Sequence, residues 1–530
     1  MRLDIREATI DSVHNSLYSG LTSCREVVSS FLSRVEAFDT RINAIISLNP
    51  AALALAERID AALAVGNATG PLFCIPVLLK DNYDTSNMNT TGGNLGLAGS
   101  QPSVDAPSVV ALERAGAVIL GKVNLHELAL EGLSVSSLGG QTINPYDFSR
   151  TPGGSSGGSG AAVAASFSVL ATGSDTVNSL RSPASANSLF SIRPTRGLIS
   201  RAGIIPISYT QDVIGPIART VKDVATALTV MASIGFDSAD NATALVPETS
   251  RGMDYTIFLT AGNLKGIRLG VINGFFNRTD SNETAPVNEA MDTMIHKLQS
   301  AGVIIIPINE GIYNVTAIRS LDVQRFEYRE SMDTYLTQPS LNGVHPHNLL
   351  ELYAMDSSSG SGKFLVIPSQ YEFVNTVLIS STSNATYASI QSNIHSLTVA
   401  LHSTLSQNNL DAIIYPEQQN LVVKLGSPSQ SDRNGILAAL TGSPVVTVPA
   451  GFSAASEEAP VGVPIGMEIL GRPWQEESLL RIAYQIEMLT HVRRMPAWAK
   501  ETVEAKSYVG VPVVKPNNRN IPTEYPVGVL

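Results

Sequence analysis

Charge is scarce in this chain: Asp, Glu, Lys and Arg make up 15% of the 530 residues, and the balance is -11. No cluster of Lys or Arg stands anywhere in it. The basic footprint that phosphate groups require is missing, which argues against nucleic acid as a partner. No apolar run reaches the roughly 20 residues of a membrane span. The eight His are scattered and no Cys/His group has ligand spacing, so neither a metal nor another cofactor is expected. Cysteine is nearly absent. Cys24 reads as helical and Cys74 as part of a strand, and the expectation is two buried free thiols.

Met1 leads into Arg2-Leu3-Asp4-Ile5-Arg6 without an apolar signal segment, so the expected location is cytoplasmic, or secreted if a leader has been removed. Seven N-x-T sequons occur, at Asn67, Asn89, Asn241, Asn277, Asn282, Asn314 and Asn384. Chance alone gives about six in a chain this rich in Asn, Ser and Thr, so the count decides little.

What is abundant is apolar and small. Hydrophobic residues make up 44%, with 41 Gly, and the chain is long enough to bury a large core without staples. Residues 7–65 read as helical, with Val28, Phe31, Leu32, Val35 and Phe38 at helical spacing and Ala51–Ala64 continuing the pattern. The run 71–79 reads as a buried strand delivering a lone charge, Lys80, to its end. Helix and strand then alternate: helices at 108–115, 221–231, 288–301 and 476–489, and strands at 117–122, 169–173, 267–272, 303–308, 412–415, 445–448 and 463–469. Residues 310–405 read as mostly helical, with a low-complexity stretch at 357–362. The expected fold is α/β: a single-domain α/β/α sandwich around a large mixed, twisted sheet. The expected organisation is an N-terminal helical region over 1–65, a catalytic domain over 66–500 with a helical insertion at about 310–405, and an extended tail over 501–530.

Three separated features carry chemistry. Thr151–Gly160 is a glycine/serine loop ahead of a helical Ala161–Ala165, but it lacks the lysine of a phosphate-binding loop. Lys80 at the end of an apolar strand is a residue whose charged form burial disfavours, and a neutral lysine can take a proton from a serine. The turn Ser174-Asp175-Thr176-Val177-Asn178-Ser179-Leu180-Arg181 offers consecutive backbone N–H groups to a developing oxyanion. Each feature alone has a plain reading: a flexible turn, a lysine reaching solvent, a polar turn residue.

Together, Gly153-Gly154-Ser155-Ser156-Gly157-Gly158-Ser159, the Asp175…Ser179…Arg181 turn and Cys74-Ile75-Pro76…Lys80-Asp81 resemble the amidase signature family. The likeness extends to Asn144-Pro145-Tyr146-Asp147, Arg193–Ser200 and Gly442–Gly451. The resemblance implies Lys80, Ser155 and Ser179 as the catalytic residues, with Ser155 on a cis peptide bond, bridging the lysine and the nucleophile Ser179. It implies an oxyanion hole of the N–H groups of Thr176, Val177, Asn178 and Ser179, and hydrolysis of an amide through an acyl-enzyme. One departure stands out. Val177-Asn178 occupy the place of a Gly-Gly pair, and glycine's freedom at positive φ is lost there.

The expected partner is a small-molecule amide with a small neutral or hydrophobic acyl group, acted on by a monomer or homodimer. The alternatives are an acyltransferase or cyclising enzyme using the same acyl-enzyme, an amidotransferase-type subunit, and a catalytically silent binding protein.

Overall fold

The structure, a computed structural model, describes residues 3–67, 70–260, 262–352 and 367–525. An eleven-stranded sheet forms its centre, in the spatial order Ile45–Leu48, Val118–Val123, Pro76–Lys80, Leu170–Asp175, Val213–Ala218, Phe190–Arg193, Val445–Phe452, Pro464–Leu470, Ala412–Pro416, Arg268–Ile272, Ile304–Ile308. It is mixed. Val118–Val123, Pro76–Lys80 and Leu170–Asp175 run parallel, the middle strands alternate antiparallel, and Ala412–Pro416, Arg268–Ile272 and Ile304–Ile308 are parallel again. Helices cover the sheet, which makes the expected single α/β domain.

Burial on both faces explains the sequence pattern. Every residue of Pro76–Lys80, Val118–Val123 and Leu170–Asp175 is buried, which is why these strands read as continuous apolar runs and not as alternating ones. Helix Cys24–Ile42 starts at a capping box in which Ser23 and Glu26 satisfy each other's backbone N–H groups, and it buries Val27, Val28, Phe31, Leu32, Val35 and Phe38. Helix Gly157–Ala164 is buried all round and built only from Gly, Ala, Ser and Val. A Cβ on Gly158 would run into the Asn124 carbonyl, so the small residues allow a close approach of helix to sheet.

Three expectations are corrected. The N-terminal region is not helical throughout: Asn43, at φ 52, closes the helix in the left-handed region, and Ile45–Leu48 becomes an antiparallel edge strand of the sheet. Strands Phe190–Arg193 and Val213–Ala218 went unread. The cysteines are not free. Cys24 and Cys74 form a disulfide with Cα atoms 5.5 Å apart, and Cys74 lies in a turn ahead of Pro76–Lys80, not in the strand. Of the 310–405 segment, the described residues hold helices Val315–Arg319, Gln324–Leu336, Pro368–Leu378 and Ala385–Gln407. The stretch 357–362 lies outside the described residues. Among the described residues, no helix is long and apolar enough to cross a membrane.

Candidate active site

Parallel strands end side by side, and that places the site. Pro76–Lys80 pairs with Leu170–Asp175 in the same direction, so Lys80 and the turn after Asp175 leave the sheet at one edge. The glycine/serine loop enters between them at the start of helix Gly157–Ala164.

Lys80 is fully buried, and its Nζ lies 2.7 Å from Ser155 Oγ and 2.9 Å from Ser174 Oγ. Burial pulls the Lys80 ammonium down to about 7, against the opposing pull of Asp175 and Asp212. A second buried lysine, Lys122, is also pulled down by burial, but it has the charges of Asp81 and Asp84 to oppose that and a fuller set of acceptors. Lys122 Nζ donates to the Tyr83 and Asn89 carbonyls and to Thr90 Oγ1, and lies 3.6 Å from Asp81. Lys80, by contrast, meets only hydroxyls, and among the described residues no carboxylate stands within ion-pair distance of it. A lysine so placed is poised to be neutral, hence a base.

The Gly154–Ser155 peptide bond is cis, as the resemblance implies for that residue. The Ser155 carbonyl accepts from His126 N–H at 2.9 Å. Ser179 is 7% exposed on the wall of a cavity of 200 Å³, and its carbonyl accepts from the N–H of Ser156 at 3.4 Å. Lys80 and Ser155 are thus in side-chain contact at the strand ends, and Ser179 is held beside them through the backbone of Ser156.

The turn itself is fastened by its carbonyls. Thr176 O accepts from Gln211 Nε2, Val177 O from Arg181 Nη2, and Asn178 O from the N–H groups of Arg181 and Ser182. The four N–H groups of Thr176, Val177, Asn178 and Ser179 donate to nothing among the described residues, which leaves them for a ligand. Neither Val177 nor Asn178 adopts positive φ, so the loss of the Gly-Gly pair costs no left-handed strain. Compensation comes from across the turn, at Gly435, where a Cβ would sit 2.5 Å from Asn178 Cβ and 2.7 Å from Val177 O.

Beneath the turn lies a buried charge cluster. Arg181 bridges Asp175 and Glu468, and Arg193 pairs with Asp175 at 2.7 Å. Burial pushes the Asp175 carboxyl up, but the charges of Arg181 and Arg193 outweigh it and hold the group down at about 2. Asp175 and Arg181 thus fix the turn and stand behind the reacting atoms. Removing one partner of such a pair leaves an uncompensated buried charge, which costs about 3–5 kcal/mol.

Sequence reasoning missed Ser174, Asn82 and Asp212. Asn82 Nδ2 donates to Ser174 Oγ at 2.9 Å, and Thr176 Oγ1 donates to Asp212 at 2.6 Å. The only available signal was proximity in the chain, Asn82 to Lys80 and Ser174 to the turn. Two cavities flank the turn and share Ala129 and Thr176. The smaller one is lined by Glu131, Arg319, Asp322, Gln324 and Arg433, which departs from the neutral surroundings expected for it. The larger, 360 Å³, has an apolar wall of Ile204, Ile205, Pro206, Ile207 and Ile214, and Arg201, Asp212, Asp240 and Glu330 also line it. Ala129 and its neighbour Leu128 both have positive φ, 61 and 53, so the backbone between the cavities is held in a conformation that non-glycine residues seldom adopt.

Comparison with known proteins bears on the family and the fold. A family model described as Amidase matches residues 26–480. A glutamyl-tRNA(Gln) amidotransferase subunit of Desulfatibacillum aliphaticivorans is 32% identical over 514 residues, covering 92% of this chain and 99% of the relative. A probable amidase of Arabidopsis thaliana is 32% identical over 505 residues, covering 93% and 92%. The structure of the native peptide amidase from Stenotrophomonas maltophilia superposes with a TM-score of 0.80 at 32% identity, covering 93% of this chain and 99% of that one.

Proposed function

Since the chain belongs to the amidase signature family, and so hydrolyses an amide bond through a serine/lysine acyl-enzyme, we propose that Ser179 is its nucleophile, with Ser155 and Lys80 as the proton relay. The observation that carries this assignment is the 2.7 Å contact between Lys80 Nζ and Ser155 Oγ in a fully buried setting.

Neutral Lys80 takes the proton of Ser155 as Ser155 takes that of Ser179. Ser179 Oγ then attacks the amide carbon, and the carbonyl oxygen gains a negative charge. The N–H groups of Thr176, Val177, Asn178 and Ser179 receive it. When the C–N bond breaks, the proton on Lys80 returns through Ser155 to the leaving nitrogen. Water repeats the sequence on the acyl-enzyme and frees the acid.

Supporting the substrate reading are the two cavities at the turn. We take the substrate to be a small amide that places an apolar group in the larger cavity and a polar group among Glu131, Arg319 and Arg433 in the smaller. The peptide amidase likeness fits an amide of that kind. Lys80, Ser155 and Ser179 all come from one chain, which suits the monomer or homodimer reading. The division into an N-terminal region over 1–65, a catalytic domain over 66–500 and a tail stands as part of the proposal, with Ile45–Leu48 tying the first to the sheet of the second. For the compartment we favour an oxidising one over the cytoplasm, because a buried Cys24–Cys74 disulfide persists where thiols are not kept reduced.

The relay has a pH signature. Lys80 serves as a base only when neutral, so kcat/KM rises with pH up to about 7. Each unit below that value costs roughly tenfold, as the neutral fraction falls. Steady-state hydrolysis of an amide panel between pH 5 and 8 checks it. A flat profile, or a rate that falls with rising pH across that range, would remove Lys80 from the role of base.

A further inference from the structure

Asn178 stands where the family likeness calls for glycine, and its side chain is engaged. Its Nδ2 donates to Glu417 Oε1 at 2.6 Å, across from the turn to the end of strand Ala412–Pro416, and both residues are fully buried. Each then keeps one atom without a partner among the described residues: Asn178 Oδ1 and Glu417 Oε2. Two acceptors are thus left over on two groups that one hydrogen bond already joins. A buried acceptor left unpaired costs about 1–3 kcal/mol. One proton on Oε2 removes both deficits, because a carboxylic acid and a primary amide can bond through two antiparallel hydrogen bonds.

The charges around Glu417 favour that proton. Glu468, on the neighbouring strand Pro464–Leu470, repels a second negative charge and commits both its oxygens to Arg181, at 2.9 and 2.7 Å. Arg181 and Arg433 pull the other way, and Tyr415 faces the pair from the same strand end. Burial is the larger influence and pushes the Glu417 carboxyl well above the usual carboxylate range, with Glu468 adding to it.

We propose that Glu417 is a positioning residue that carries its proton at neutral pH and clamps the turn 176–179 through a reciprocal acid–amide pair with Asn178. The inference rests on the assignment of that turn as the oxyanion hole. In effect, Asn178 and Glu417 supply by side-chain pairing a fixed turn geometry in a chain that lacks the glycine pair, while Gly435 gives them room.

The variants E417Q and E417L separate the possibilities, measured on the full chain as kcat and KM from pH 6 to 10 with infrared spectra of the protein in parallel. In the wild type, kcat falls at the alkaline end as Glu417 ionises, and a protonated-carboxyl band is present at pH 7. E417Q keeps two antiparallel hydrogen bonds to Asn178 without a titrating group. It therefore loses that band and the alkaline fall, and it restores what E417L loses. E417L misplaces the turn donors and lowers kcat roughly 100-fold with KM little changed. The proposal is overturned if E417Q is as impaired as E417L, if the alkaline fall persists in E417Q, or if no band is lost from it at pH 7. Should E417L fail to fold, the E417Q profile and spectrum decide alone. Failure of the underlying site reading shows separately, as turnover that survives Ser179→Ala.

Discussion

Lys80→Met is expected to lower kcat by about 10⁴-fold or more while leaving the fold intact. Methionine keeps the unbranched shape and the burial of the lysine stem but accepts no proton at the site. Without a base, Ser155 cannot take the proton of Ser179, and the nucleophile stays a hydroxyl. Stability should change little. The wild-type side chain holds an amine in a fully buried site, a desolvation cost that methionine does not carry. Of the two hydroxyls it leaves behind, Ser174 keeps its bond from Asn82 at 2.9 Å. Ser155→Ala should cost as much as Lys80→Met, and the double variant no more than either, because a relay broken once is broken. Kinetics paired with thermal unfolding checks this. Additive losses in the double variant would show that the two residues act separately.

The second large effect concerns stability. Cys24 opens helix Cys24–Ile42, and Cys74 sits in the turn ahead of strand Pro76–Lys80, with a separation of 50 residues. Closing a loop of that length removes about 4 kcal/mol of chain entropy from the unfolded state. That is a large part of the 5–15 kcal/mol by which folded domains are typically stable. The double variant Cys24→Ser/Cys74→Ser, or the reduced wild type, should unfold at clearly lower denaturant. Both should still turn over substrate at low temperature, since neither cysteine touches Lys80, Ser155 or Ser179. Thiol counting on the denatured, unreduced protein provides the control. Two titratable thiols, or an unfolding midpoint indifferent to reduction, would contradict the pairing.

How much of this was legible in the sequence depended on the range of the forces involved. Lys80 at the end of an apolar run and the turn to Arg181 are local patterns that the structure keeps, whereas the Gly/Ser stretch expected as a loop to Gly160 turns helical at Gly157, where small residues pack against the sheet. Helix Cys24–Ile42 was legible because its buried face repeats every three to four residues. Strand Val213–Ala218 was not, because Gly215 and Pro216 are both strand breakers, and antiparallel pairing with Leu170–Asp175 on one side and Phe190–Arg193 on the other holds it in the sheet. Ile45–Leu48 was lost for a related reason: four residues beside a long helix carry too little pattern to stand apart. The disulfide depended on the approach of two segments 50 residues apart, which no spacing encodes. The charged lining of the smaller cavity and the Glu417 carboxyl against Asn178 come from residues far along the chain. They became readable only once the sheet had brought strand Ala412–Pro416 and the loop after it to the turn.

The measurement that bears most directly on the central claim is mass spectrometry of the protein after treatment with a fluorophosphonate. A serine activated by a buried base reacts, and ordinary serines do not. The account predicts a single adduct on the peptide carrying Ser179, absent from Lys80→Met and Ser155→Ala. An adduct on another serine, or an unlabelled wild type that is folded and active, would contradict it.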